Sequence, residues 1–132
     1  MQSISGVIYL ILAACLLPYV FTAIAKKAGG FKAKDNQNPR DFLEQSSGLA
    51  KRADAVQKNS FESLPLFIAA ILMAEYMVIS EKVMITFGVG YLIFRVLYGI
   101  CYLANWATLR SIMWLLSMLC PITLLLLIIK LI

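Results

Sequence analysis

The sequence predicts an all-α membrane protein, built as an up-down bundle of four transmembrane helices. Of its 132 residues, 61% are hydrophobic and only 14% are charged, too few to cover a water-facing surface. The apolar runs are long and lack the period-two alternation of barrel strands, so they favour helices. A helix needs about 20 apolar residues to span a bilayer. The chain has room for four such segments in a single domain covering 1–132.

We predict the four helices at about 4–25, 49–79, 83–104 and 110–131, with a polar loop at about 26–48. The first run lacks a basic leader and a small-residue cleavage site, so we expect a retained helix rather than a signal peptide. In the loop, Gly29 and Gly30 should end the first helix, and Pro39 suits the first position of a short one. The second helix is expected to begin near Leu49 in water and to enter the membrane near Val56.

The other two connections, near Ser80 and Trp106, are only a few residues long. Short connections make consecutive helices antiparallel neighbours, which gives the up-down order. Pro18, Pro65 and Pro121 lie inside predicted helices, so we expect local kinks there.

The positive charge is concentrated in one stretch, 26–52, which holds seven of the twelve basic residues: Lys26, Lys27, Lys32, Lys34, Arg40, Lys51 and Arg52. By the positive-inside rule this stretch lies in the cytoplasm. The same topology accounts for the net charge of +5, so we expect no nucleic-acid partner.

Several classes of site are absent from the sequence. The chain has no histidine, which excludes an HExxH zinc site and a histidine general base, and it has neither a GxGxxG nor a P-loop motif. Cys15, Cys101 and Cys120 lie in apolar sequence without metal-ligand or redox spacing, so we interpret them as packing residues. We therefore expect no metal.

Two polar stripes mark the candidate site. On the second helix, Arg52, Asn59 and Glu62 follow spacings of seven and three, which place them on one face. On the third helix, four side chains recur at four, three and four: Tyr91, Arg95, Tyr98 and Tyr102. An arginine as deep as Arg95 needs a partner or a wet cavity, and Glu62 is the expected partner.

These polar groups admit two interpretations. Arg95 and Glu62 could form a buried ion-pair network that only holds helices together. Alternatively, Arg52, Arg95 and Arg110 converge from three segments around the single deep carboxylate of Glu62, and this excess of cations suits an anionic ligand.

The remaining polar and aromatic residues have simpler interpretations. Lys58 is expected to snorkel to the interface, and Trp106 to anchor there. Trp114 is expected to face lipid or to pack, and Glu75 to lie at the interface or in a helix contact.

The stretch "RADAVQKNSFESLPLF" resembles the second-helix signature of the MAPEG family, the membrane-associated proteins in eicosanoid and glutathione metabolism. The stretch "DNQNPR" is similar to the loop of bacterial members. Further positions of the family are matched on the third helix and at the start of the fourth, by Arg95, Tyr98, Tyr102, Arg110 and Ser111. The resemblance covers essentially the whole chain.

The resemblance implies a homotrimer that binds glutathione, as thiol co-substrate, between subunits near the cytoplasmic face. Asn59 and Glu62 would bind its peptide and amino ends, and Arg52 and Arg95 its carboxylates. Tyr98 and Tyr102 would complete the pocket. A hydrophobic small-molecule substrate would enter from membrane lipid. The loop resemblance implies the bacterial inner membrane, with 26–52 in the cytoplasm.

The resemblance also assigns Arg110 to activation of the thiol, as in a microsomal-type glutathione transferase or a peroxidase. Ala55 departs from the pattern, because catalytic members carry an arginine there, and the stretch from Tyr102 to Arg110 differs by a residue from some relatives. Ala55 favours a non-catalytic protein that binds a lipid or amphiphile in the intersubunit groove, whereas Arg110 and Glu62 favour the enzyme. A small multidrug-exporter subunit is a third alternative, disfavoured by the arginines.

Overall fold

The computed structural model describes residues 4–132, and the described part contains helices and no strand. In chain order the elements are α1 (Ile4–Gly29), a 3₁₀ turn (Ala33–Gln37), α2 (Pro39–Glu44), α3 (Gly48–Tyr76), α4 (Glu81–Leu103) and α5 (Ala107–Leu131). The predicted all-α class is confirmed.

Three helices are long and apolar enough to cross a membrane: α1, α4 and α5. Among the described helices, α3 is the long one that does not meet this standard, because its first half carries several charged residues, including Lys51, Arg52, Asp54 and Lys58. With 29 residues it is roughly 43 Å long, well beyond a hydrocarbon core of about 30 Å. The four-span topology therefore stays a prediction.

The long helices end in tight left-handed closures. Gly30 has a φ of 71°, and the N–H of Phe31 donates to the Lys26 carbonyl at 2.9 Å, which satisfies the end of α1. Asn105, with a φ of 62°, closes α4 in the same way. Val78 does so after α3 with a φ of 54°, a strained conformation for a β-branched residue. The closures after α3 and α4 keep the connections to the next helix short.

The helices pack in two principal pairs, α1 against α3 and α4 against α5, and α3 also contacts both α4 and α5. The core is apolar along most of its length. Its fully buried members include Phe67, Ala70, Ile71, Ala74, Met84, Tyr91 and Leu124. Helices α1, α3 and α5 each contain one proline, and each helix continues past it: Pro18, Pro65 and Pro121.

Helix α1 also meets α4, at two glycines. A Cβ atom at Gly88 would lie 2.7 Å from Cδ1 of Leu10, and one at Gly99 would lie 2.1 Å from Cζ of Phe21. Both distances are shorter than atoms tolerate, so the two glycines form notches that side chains of α1 fill. The notches lie about three turns apart along α4.

The polar loop is folded against the helix ends. The predicted short helix is present as α2, with Pro39 first and the side chain of Asn38 accepting from the N–H of Asp41 at 3.3 Å. The ring of Phe42 covers Gly29 and meets the ring of Phe31 edge-on, with centroids 5.0 Å apart.

Candidate functional site

The centre of the site is Arg95, a fully buried arginine on α4 with 1% of its surface exposed. Its guanidinium donates to Oδ1 of Asn59 at 2.8 Å and to Oγ of Ser60 at 3.0 Å, both on α3. A third hydrogen bond reaches Oγ of Ser117 on α5 at 3.3 Å. One side chain therefore connects three helices, and Asn59 is held in place by it.

The predicted ion pair between Arg95 and Glu62 is wrong. The two residues form no salt bridge, and the acceptors around Arg95 are an amide and two hydroxyls. Nε of Arg95 is buried without a hydrogen-bond partner. The physical reason is that Glu62 lies on the exposed side of α3, whereas Asn59 and Ser60 face α4. The buried cation is thus satisfied by neutral groups, and the carboxylate is left for other contacts.

A ladder of aromatic contacts leads from Arg95 to the start of α5. The guanidinium of Arg95 lies 4.3 Å from the centroid of the Tyr98 ring, which meets the Tyr102 ring edge-on at 5.8 Å. The guanidinium of Arg110 lies 4.5 Å from the Tyr102 ring. Each cation is therefore positioned over the negative face of an aromatic ring. Asn59, Arg95, Tyr98, Tyr102 and Arg110 form one continuous run.

Arg52 lies beside this run, at the carboxyl end of α4. Its Nε donates to the backbone carbonyl of Leu103 at 3.3 Å, an acceptor that the helix leaves unpaired. A cation at this position is also favoured by the dipole of α4. The contact brings Arg52 to the residue next to Tyr102.

Asn59 and Glu62 open onto a small cleft of about 170 Å³ between α3 and α5. Ser63, Trp114 and Met118 complete its lining. The hydroxyl of Ser63 is 2.8 Å from that of Tyr91, so it is held against α4. One wall of the cleft is therefore polar and carries a carboxylate, whereas the other is aromatic and apolar.

A second polar cluster lies between α3 and α1. Asp54 is buried, with its Oδ2 2.9 Å from Nζ of Lys58 and its Oδ1 2.9 Å from Nε2 of Gln57. Gln57 is hydrogen-bonded in turn to Thr22 on α1. Lys58, expected only to snorkel, is thus also the partner of a buried carboxylate. A cavity of about 400 Å³ adjoins the cluster and is lined further by Lys26 and Arg40.

The described residues contain no group of three or more metal-binding side chains. The three cysteines are unpaired, and Cys101 is buried. The groups that the structure brings together at the site are arginine, tyrosine, amide and carboxylate side chains.

A model of the MAPEG family matches residues 6–130 of the chain. The chain belongs to the MAPEG family. A comparison with curated protein sequences finds no significant match. MAPEG proteins include glutathione transferases and peroxidases as well as non-catalytic members, and they are generally trimeric membrane proteins that use glutathione. With its three membrane-length helices, this MAPEG chain is an integral membrane protein.

Ser60 and Ser117 of this MAPEG protein were not predicted at the site, and Trp114 was predicted to face lipid or to pack. Ser60 and Ser117 hold Arg95, and Trp114 lines the cleft with 41% of its surface exposed. A signal for the α5 pair is present, because Ser117 and Trp114 follow Arg110 by seven and four residues and so share its face.

Proposed function

We propose that this MAPEG protein is a membrane-bound glutathione-dependent transferase or peroxidase that acts on hydrophobic electrophiles. The observation that carries the proposal is the continuous run of contacts from Asn59 through Arg95, Tyr98 and Tyr102 to Arg110. It combines two guanidinium groups with an amide that can bind a peptide. No carboxylate among the described residues forms an ion pair with Arg95, which supports an anionic ligand nearby.

The residues then take distinct roles toward glutathione, which carries two carboxylates and one ammonium group. The exposed carboxylate of Glu62 binds the ammonium group, and Asn59 binds a peptide amide. Arg52 and Arg95 supply positive charge for the carboxylates, with the two tyrosines closing the pocket. Charge-assisted contacts of this kind are about twice as strong as neutral ones.

Arg110 stabilises the thiolate of bound glutathione. A free thiol has a pKa of about 8.5, so it is mostly protonated at neutral pH. A guanidinium beside the sulfur lowers that pKa, and because arginine stays charged it acts electrostatically while the proton leaves to water. Its position over the Tyr102 ring gives the guanidinium a fixed place at the end of the run.

We further propose that the protein is a homotrimer with the site at a subunit boundary. Glu62 is exposed and the cleft is open, so a single subunit leaves the ligand only partly enclosed. The concentration of basic residues in 26–52 supports placing this stretch on the cytoplasmic side of the membrane, where glutathione is available. The resemblance of "DNQNPR" to the loop of bacterial members supports a bacterial inner membrane.

A non-catalytic MAPEG protein that binds a lipid or amphiphile is the second candidate. It is favoured by Ala55 on α3, where an arginine is expected in catalytic members. Both candidates require an amphiphilic cleft, so only the thiol chemistry separates them.

The deciding experiment is the Arg110→Ala variant in detergent. Glutathione affinity should change little, whereas the conjugation rate at neutral pH should fall about 10- to 100-fold, because one pKa unit is roughly 1.4 kcal/mol. Raising the pH should recover part of the loss. Ultraviolet difference absorbance of bound glutathione across a pH titration reports the thiolate directly.

Two control variants complete this test. Arg110→Lys keeps the charge and should retain most of the thiolate, whereas Arg40→Ala removes a charge from the exposed loop and should change neither quantity. An identical thiolate titration in wild type and Arg110→Ala would remove Arg110 from the mechanism. No glutathione binding in the wild type at millimolar concentration would favour the lipid-binding candidate.

A further inference from the structure

The cleft contains a large aromatic group that the proposed function leaves unused. Trp114 lines it opposite Asn59 and Glu62, with 41% of its surface exposed, and Met118 continues the same wall. An indole half out of the core and next to a carboxylate is available for contact with a ligand.

The position of the indole relative to the thiolate follows from α5. Arg110, Trp114 and Met118 recur at intervals of four, so they share one face of the helix. The bond from Arg95 on α4 to Ser117 at 3.3 Å ties the rotation of α5 to α4. Along this face the surface changes within two turns from a guanidinium to an aromatic ring and then to a thioether.

We propose that Trp114 is the platform for the electrophile and makes the enzyme prefer flat aromatic electrophiles to alkyl ones of similar size. This inference rests on the proposed function. Trp114 follows Arg110 by about one helical turn, so an electrophile lying on the indole is within reach of a sulfur held at Arg110. Ring stacking adds about 2- to 12-fold in affinity beyond the area buried, an advantage that an alkyl chain lacks.

The reaction at this platform balances without an oxidant. With 1-chloro-2,4-dinitrobenzene, the thiolate sulfur forms a bond to the carbon that carries chlorine, and the ring and nitro groups accept the displaced electron pair. The carbon–chlorine bond then breaks and chloride leaves with its bonding pair. With 1-iodohexane, the carbon–sulfur bond forms as iodide leaves. In both reactions the thiol proton has already passed to water.

Steady-state kinetics with these two electrophiles test the proposal. Trp114→Ala should raise KM for the aromatic substrate about 10-fold and for 1-iodohexane no more than about 3-fold, since only the first loses stacking. Trp114→Phe, which keeps a ring, should retain most of the preference and guards against misfolding. KM for glutathione should change much less than KM for the aromatic electrophile, because Trp114 lies on the wall opposite Asn59 and Glu62. An equal change for the two electrophiles, or none, would overturn the inference.

Fluorescence gives a second test that needs no catalysis, because the chain has only two tryptophans. In Trp106→Phe, where Trp114 is the sole emitter, quenching by unreactive 1,3-dinitrobenzene should saturate. In Trp114→Phe, where only Trp106 emits, quenching should rise linearly, as for collisions in the micelle. Linear quenching in both variants would overturn the inference even if conjugation occurs. Saturation without any glutathione conjugation would instead refute the proposed function and leave the aromatic site standing.

Discussion

Asp54 on α3 and Arg95 on α4 are both buried charges, but their surroundings differ. Asp54 is 4% exposed and has an ion pair with Lys58 and a hydrogen bond from Gln57, both on its own helix. Arg95 is 1% exposed and reaches only neutral oxygens and a tyrosine ring. Burial of a charge is costly in both places, and only one charge is balanced by an opposite one.

We propose that the difference separates a charge that serves the fold from one that serves a ligand. The Asp54 cluster is electrically complete, and its link through Gln57 to Thr22 attaches α3 to α1. Arg95 leaves a net positive charge inside the protein, with Arg110 close by along the aromatic ladder. A fixed cation that no carboxylate neutralises is most useful where an anion binds.

The comparison predicts its largest effect for Arg95→Met, which should weaken glutathione binding at least about 100-fold. Arg95 is 1% exposed, so it acts on glutathione through its buried charge and through Asn59, which it holds in place; losing both contributions, at roughly 1.5 kcal/mol or more each, accounts for that size. Arg95→Lys keeps the charge without the planar fork and should lose only about 10-fold. Calorimetric titration with glutathione measures the affinity of the wild type and of both variants.

The matched control is Asp54→Asn, which neutralises the other buried charge. It should change glutathione affinity by less than about 3-fold, since a surface-exposed Lys58 can hydrate when its partner is lost. Equal losses of affinity in the Asp54 and Arg95 variants would remove the distinction between the two charges.

A smaller effect is expected for Glu62→Gln, which should weaken glutathione binding about 10-fold without lowering the unfolding temperature. Glu62 is exposed and has no ion pair with Arg95, so its neutralisation leaves no buried charge uncompensated. Glu44→Gln, an exposed change on α2, should alter neither quantity. A lower unfolding temperature with unchanged affinity would mean that Glu62 supports the fold instead of the ligand.

The smallest effect is expected for Ser117→Ala. Loss of its bond to Arg95 should cost about 1 kcal/mol of stability and change glutathione affinity only slightly. Ser111→Ala, also on α5, removes a hydroxyl that bonds only within its own helix and should be near neutral. Thermal unfolding in detergent compares the pair, and equal shifts would show that Ser117 does not support Arg95.

Apolar length predicted α1, α4 and α5, because a run of about 20 apolar residues has few other ways to satisfy its backbone in lipid. The second predicted helix, which corresponds to α3, was predicted to end at 79, whereas α3 ends at Tyr76. The left-handed turn at Val78 closes that helix early, and a valine gives no warning of such a turn.

The site was predicted less completely than the helices. Coulomb attraction favoured Glu62 as the partner of Arg95, but the rotation of α3 presents Asn59 and Ser60 instead. Trp114 was expected to face lipid or to pack, because α5 is apolar almost all round and only its spacing from Arg110 indicates which side faces α3. Helix rotation is set by packing between helices, which a single apolar stripe specifies poorly.

The two glycine notches on α4 restrict how the protein can move. With Leu10 seated over Gly88 and Phe21 over Gly99, sliding α1 along α4 by one turn, about 5.4 Å, would require both side chains to withdraw together. The two helices should therefore behave as a single rigid body. Any breathing that admits a bulky molecule is then expected elsewhere, and the open cleft between α3 and α5 is the place where helices could separate without unseating these side chains.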